Sequence, residues 1–113
     1  MKNFAEKVWA ATKKISRGQV ASYQQIANII KYPRSARAVG NALNKNPYAP
    51  IVPCHRVIKS TGEVGGFADG QKKKIALLKK EGIIIKEGRV LGWKKIGPNL
   101  NLFHYDKFEG KSQ

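Results

Sequence analysis

The chain has 113 residues, 42% of them hydrophobic, with two tryptophans; this is one domain able to bury its own core, not a disordered segment. Twenty-two Lys and Arg against seven Asp and Glu give a net charge of +15, a self-repulsion that a polyanionic partner offsets, nucleic acid first and an anionic membrane surface second. No stretch approaches the roughly 20 apolar residues of a membrane span, the N-terminus lacks an apolar signal region, and a lone cysteine cannot form an internal disulfide, so an intracellular protein is expected, in cytoplasm and nucleoid or in a nucleus.

In chain order, Phe4, Val8, Trp9, Ala11 and Ile15 recur at helical spacing and predict an amphipathic helix over 3–15. Arg17-Gly18-Gln19 breaks it. Ser22-Tyr23-Gln24-Gln25 fits a capping box, opening a second helix over about 22–31 with Ile26, Ala27, Ile29 and Ile30 on one face. Pro33 stops that helix. A third follows over about 35–45, with Ala36, Val39, Gly40 and Leu43 as its apolar stripe; Pro47 disfavours helical geometry at Asn46 and ends it. Two short helices joined by a tight turn read as a helix-turn-helix. The outward face of the third would carry Arg34, Arg37, Asn41, Asn44 and Lys45.

Proline-rich 48–53 predicts an extended connector. Val57-Ile58-Lys59, a Ser60-Thr61-Gly62 turn and Glu63-Val64 predict a small hairpin, and Gly65-Gly66-Phe67 a loop. A fourth helix is expected after Asp69 as N-cap, with Ile75, Leu77 and Leu78 apolar and Gly82 closing it. Residues 83–91 predict a second hairpin, placed like the wing of a winged helix. The expected fold is therefore mainly α, a winged helix-turn-helix-like DNA-binding domain with small β-hairpins. It spans 1–98 and is followed by a tail over 99–113, part of which Leu102, Phe103 and Tyr105 would dock.

The only cysteine, Cys54, is followed directly by His55. Two readings of such a thiol stand: a small buried hydrophobe, or a nucleophile whose proton a neighbouring base removes. One Cys with His55 and His104 falls short of the four ligands of structural zinc, so neither metal nor cofactor is expected.

Pro53-Cys54-His55-Arg56-Val57, preceded by Ser35-Ala36-Arg37-Ala38-Val39-Gly40 and Asn46-Pro47, resembles the O6-alkylguanine-DNA alkyltransferases. So do Gly62-Glu63-Val64-Gly65-Gly66-Phe67 and Leu77-Leu78-Lys79-Lys80-Glu81-Gly82, and the match runs from about residue 3 to 92. The resemblance implies a catalytic domain without the family's usual N-terminal domain. It implies DNA repair by irreversible transfer of the O6-alkyl group of a flipped guanine to Cys54, one lesion per molecule. A monomer would act on double-stranded DNA from the minor groove, with no membrane partner.

By the same resemblance His55 is the base, acting through a bridging water, and Glu81 orients its ring. Tyr23 and Lys74 serve the departing guanine; from the residues alone, the alternatives are a core aromatic for Tyr23 and a solvated face for Lys74. The Val57 carbonyl would accept the guanine amino group, in a pocket shared with Phe67, Ala68 and Asn46, the last a hinge between recognition helix and active-site strand or else a plain helix cap. Arg37 would fill the space of the flipped base, while Ala36, Asn41, Arg34 and Lys45 face DNA. Ala68 stands where many relatives have serine, and Asp69 where glycine is common. Two other classes compete: a lesion sensor of the alkyltransferase-like kind, which usually lacks the cysteine, and a winged-helix transcription regulator with an incidental Cys-His pair. A cysteine protease is weaker still, since nothing suggests an oxyanion hole or substrate cleft.

Overall fold

The computed structural model describes residues 3–49, 51–67 and 70–97. Helix α1, Phe4–Thr12, is capped by the Asn3 side chain on the Glu6 N–H. It stops a turn earlier than its apolar spacing predicts. The Thr12 hydroxyl donates back to the Val8 carbonyl at 2.8 Å, inside the helix, a side-chain bond that competes with continued helix. Ile15 is still buried, from the loop that follows.

The capping box forms as expected: the Gln25 N–H donates to Ser22 Oγ at 3.0 Å, and the Ser22 N–H to Gln25 Oε1 at 2.8 Å. It opens α2, Tyr23–Ile29. After a turn comes α3, Ala36–Asn44. Trp9 packs α1 onto the end of α3, its indole N–H donating to the Ala42 carbonyl at 2.9 Å.

Two expectations about 48–64 are corrected. The proline-rich connector is not extended: the Val52 N–H returns to the Tyr48 carbonyl at 2.9 Å, and Cys54–Arg56 form a 3₁₀ turn. Nor do residues 57–64 form a self-contained hairpin. Their turn closes, with the Lys59 N–H on the Glu63 carbonyl at 2.8 Å. But β2 (Val57–Ile58) pairs in parallel with β1 (Ala21–Ser22), Ala21 opposite Val57 and Ser22 opposite Ile58, while Glu63 bridges to Arg89. A parallel partner 36 positions away leaves no local turn signal for sequence patterning to detect.

Helix α4, Gln71–Lys80, takes Gly70 as N-cap with no side-chain cap; the expected cap, Asp69, lies outside the described residues. Its end is as expected. Gly82, at φ 88°, closes a reciprocal pair of bonds from the Gly82 N–H to Lys79 and the Ile83 N–H to Leu78. The wing hairpin joins β3 (Ile85–Lys86) to β4 (Arg89–Val90) through Glu87 and Gly88, both at positive φ, the geometry that suits strand twist. A 3₁₀ turn over Trp93–Lys95 follows, which no sequence signal announced. The proposed tail, 99–113, lies outside the described residues.

The protein is thus mainly α, with a helix-turn-helix and a small wing. Two apolar clusters fill it. Val8, Ile26, Val39 and Leu43 belong to one, packed between α1, α2 and α3; Leu78, Ile83 and Val90 belong to the other, under α4 and the wing. The β1–β2 pair divides them. Ala21 and Val57 face the first cluster, Val20 and Ile58 the second, as period-two alternation requires. Among the described residues no helix is long and apolar enough to cross a membrane.

Ser22 is 1% exposed, so its hydroxyl has no water to replace the Gln25 bond. Ser22→Ala should destabilise the fold by about 1–2 kcal/mol, read as a lower midpoint with an unchanged slope in urea denaturation.

Candidate active site

The 3₁₀ turn puts three consecutive side chains to different uses. Cys54 is half-buried with a free thiol. His55 is buried, and its Nε2 lies 3.0 Å from Glu81 Oε2 at the end of α4. Arg56 grips the same carboxylate with two bonds, Nε to Oε1 at 2.9 Å and Nη2 to Oε2 at 2.8 Å. Its remaining nitrogen donates to the Ile15 carbonyl at 2.8 Å. Sequence reasoning assigned His55 and Glu81 but gave Arg56 no role. An arginine one residue past the histidine was the available signal, since the two side chains must reach a shared anion from one tight turn.

Burial alone would raise the Glu81 carboxyl, but hydrogen bonds from Arg56 and His55 outweigh it and hold the group at about 2. Glu81 is therefore ionised at neutral pH and accepts a hydrogen from Nε2. That fixes the neutral imidazole in the tautomer whose lone pair sits on Nδ1, the nitrogen free to take a proton.

Lys74, whose charge interacts with that of Cys54, is fully buried, which removes the solvated-face reading. Its ammonium donates to the Val57 carbonyl at 2.7 Å, the Gly66 carbonyl at 3.0 Å and Tyr23 Oη at 3.2 Å. Those three bonds use all three of its protons. Burial lowers Lys74 to about 8, with the negative charge of an ionised Cys54 pulling the other way. Burial, then the same Cys54 charge, pushes the Tyr23 phenol up. Tyr23, Lys74 and Cys54 thus share one electrostatic environment. Tyr23 is neither a plain core aromatic nor tightly tied. Among the described residues its hydroxyl has only the Gly66 carbonyl, 3.4 Å away, as an acceptor, beyond the usual reach of an O–H···O bond.

Val57 is fully buried and its carbonyl already serves Lys74; one lone pair remains. Gly65 sits at φ 75°, where a Cβ would come within 3.1 Å of Tyr23 Oη, so only glycine lets the loop close on the ring. Phe67 is half-buried in that loop, and Ala68 lies outside the described residues. Asn46 spans the turn between α3 and Cys54. Its Nδ2 donates to the Val52 carbonyl at 2.8 Å and its Oδ1 accepts the Tyr48 N–H at 2.8 Å. The Cys54 N–H reaches the same Val52 carbonyl at 2.9 Å. Asn46 is therefore a brace between the end of α3 and the cysteine, not a plain cap.

A cleft of about 540 Å³ opens between α3 and the turn after β2, lined by Tyr23, Ala36, Arg37, Asn41, Lys59 and Gly66 among others. Arg37 and Asn41 are exposed there. Arg34 is not on the helix face as expected but in the turn before α3, against a separate hollow of about 350 Å³. Lys45 is the exposed C-cap of α3. Tyr23 links the two regions, lining the cleft while touching Lys74.

Fold and site together define a winged helix-turn-helix domain that holds a half-buried thiol beside a His–Glu–Arg network and in electrostatic contact with a Lys–Tyr pair. Residues 3–83 match the family described as 6-O-methylguanine DNA methyltransferase, DNA binding domain, and the chain belongs to that family, the O6-alkylguanine-DNA alkyltransferases. It is 49% identical over 79 residues to the methylated-DNA–protein-cysteine methyltransferase of Methanosarcina acetivorans, covering 70% of this chain and 51% of that protein. The structure of Mycobacterium tuberculosis OGT in complex with DNA superposes with a TM-score of 0.69 at 45% identity, covering 73% of this chain and 50% of that one. S. pombe Atl1, solved with damaged DNA containing O6-carboxymethylguanine, gives a TM-score of 0.76 at 30% identity, covering 88% of this chain and 99% of that one. The chain spans about half the length, or less, of the curated relatives it matches.

Glu81 and Lys74, both depressed, give pH dependences of the same sign in two separate windows. Glu81 is depressed in the folded state, so its contribution to stability is full above about 4.5 and is lost as pH falls toward 2. Lys74 is also depressed, from 10.5 to about 8, so between those values the unfolded chain binds more protons and stability rises with pH. Urea titrations from pH 8 to 10.5 should show that rise, at most about 3 kcal/mol, and Lys74→Met should flatten it.

Proposed function

We propose that this chain repairs DNA by moving the alkyl group of an O6-alkylguanine onto Cys54, irreversibly and once per molecule. The observation that carries this is Cys54 itself, next to a carboxylate-oriented histidine in one turn and electrostatically linked to a buried lysine–tyrosine pair. The family and the DNA-bound relatives support it. The catalytic and DNA-binding part is residues 1–98, acting as an intracellular monomer, with 99–113 as a tail.

The lesion is out of reach inside the base stack, so the nucleotide is turned out at a cost of a few kcal/mol. Arg37 takes the vacated space. Ala36, Asn41, Arg34 and Lys45 contact the duplex from the minor groove, where base-edge readout is degenerate and lesion search across sequences is easiest. The high positive charge supports binding that is sequence-independent and weakens with salt.

In the pocket, His55 Nδ1 takes the Cys54 proton through a water. The sulfur attacks the alkyl carbon, an S–C bond forms, the C–O bond breaks, and the electron pair stays on guanine. The guanine is neutralised by the Tyr23 hydroxyl, whose own contact to the Gly66 carbonyl is long at 3.4 Å; Lys74 stabilises the resulting oxygen charge and resupplies the proton. The second lone pair of the Val57 carbonyl receives the guanine amino group, with Phe67 and Ala68 bounding the site. Asn46 holds the recognition helix in register with the cysteine. The thioether has no good leaving group, so nothing regenerates the thiol.

A second reading has one observation in its favour: the likeness to Atl1, which runs through 99% of that chain. On that reading the protein binds the lesion without taking the alkyl group.

Incubation with a duplex holding one O6-methylguanine, followed by intact mass measurement, separates the two. The expected result is a gain of one methyl per molecule, absent in Cys54→Ala, which still binds. Arg37→Ala should slow transfer from duplex DNA by about 10-fold or more, given the flipping cost it offsets. Tight lesion binding without mass gain would establish the sensor.

A further inference from the structure

Arg56 takes no part in moving the alkyl group, yet it makes three hydrogen bonds inside the site. We infer that Arg56 is a positioning residue that acts through Glu81: its fork clamps both carboxylate oxygens, so that His55 is oriented by a neutralised anion and stays an uncharged base. This rests on reading His55 as the base for Cys54.

The geometry comes first. A carboxylate at the end of a helix is free to rotate. Here Nε and Nη2 fix its plane, and Nη1 on the Ile15 carbonyl fixes the guanidinium in turn. Oε2 is thereby held 3.0 Å from His55 Nε2. A lysine carries the charge but has no planar fork, so it cannot reproduce that clamp.

The charge follows. The Glu81 side chain is 8% exposed and that of His55 is 7% exposed, so solvent screens them weakly. A lone carboxylate in that setting would favour the imidazolium, a ring with no lone pair left for a thiol proton. The guanidinium cancels the anion and adds its own repulsion to a second cation. The other charged or titratable groups around the pair do not substitute for it. Cys54 lies in the same turn. On α4, Lys74 is committed to Tyr23, Val57 and Gly66. From the loop before β1, Arg17 is turned to the Lys80 carbonyl.

The test titrates His55 directly, in the DNA-free full chain, by following its ring C–H signals in NMR. The sequence has two histidines, and His55→Gln assigns the spectrum. In Arg56→Met the His55 midpoint should rise by about one pH unit, and in Arg56→Lys by less. The acid limb of methyl uptake from O6-methylguanine duplex should move up with it, and so should that of Cys54 alkylation by iodoacetamide. An unchanged midpoint in folded Arg56→Met overturns the inference, whatever its transfer rate, because slower transfer alone is what a merely structural arginine would give. If that variant does not fold, a wild-type midpoint in Arg56→Lys overturns it equally. Wild-type protein that takes up no methyl would instead sink the alkyl-transfer reading, and the His55 titration would still decide the role of Arg56.

Discussion

The structure turns on one buried cation. Lys74 has no exposed surface, and its ammonium is held by the carbonyls of Val57 and Gly66 and by the Tyr23 hydroxyl. A charge in that position is tolerated only if every proton finds an acceptor. Three acceptors from α2, β2 and the glycine loop therefore have to converge on α4. All three are neutral, so the positive charge is solvated but not cancelled, and burial drags the group to about 8. Glu81 is the reverse case, an anion held by both Arg56 and His55. Cys54 is linked to both: it shares the turn of His55 and Arg56, which hold the anion, and it interacts electrostatically with the cation. An ionised sulfur is the counter-charge that Lys74 lacks, which is why the Cys54 charge acts to raise Lys74.

The seam between the two cores explains why the site can exist. The β1–β2 pair is only two residues long on each side, and its side chains serve both clusters. Cys54 packs at the margin of the helical cluster, while Lys74 reaches from α4, the helix that supplies Leu78 to the other cluster. A polar constellation in the middle of either core would leave unpaired groups. At the seam, carbonyls released from regular pairing are available as partners, and among the described residues no buried side-chain nitrogen or oxygen lacks one. The glycine loop closes the seam from outside, with Gly65 against the Tyr23 ring.

Elements defined by local chemistry were readable from the sequence. The Ser22–Gln25 box, the Gly82 terminus and the Glu87-Gly88 hairpin each follow from side chains within a few positions, and each formed. What failed was non-local. The parallel pairing of 21–22 with 57–58 depends on two cores docking against each other, and it took Val57 and Ile58 away from the hairpin their sequence suggested. Lys74 illustrates the same limit. Within Lys72-Lys73-Lys74 nothing local separates the buried residue from its exposed neighbours; only the family motif singled it out. Arg56 shows the converse, a residue inside the most specific motif whose partner, 25 positions on, appears only in three dimensions.

Tyr23 is where recognition and chemistry meet. Its ring lines the cleft beside Arg37 and Asn41, and Gly40 on α3 leaves room above it, since a Cβ there would stand 3.8 Å from the ring. Its hydroxyl receives a hydrogen from Lys74 but, among the described residues, has only a 3.4 Å contact for its own proton. On the proposed reading, a base turned into the cleft would offer that proton a better acceptor than the Gly66 carbonyl. Binding the base and protonating it as it leaves would then be one event at one oxygen. The length of the Gly66 contact is the physical reason: a well-satisfied hydroxyl would have to break a strong bond first, whereas this one exchanges a long contact for a short one.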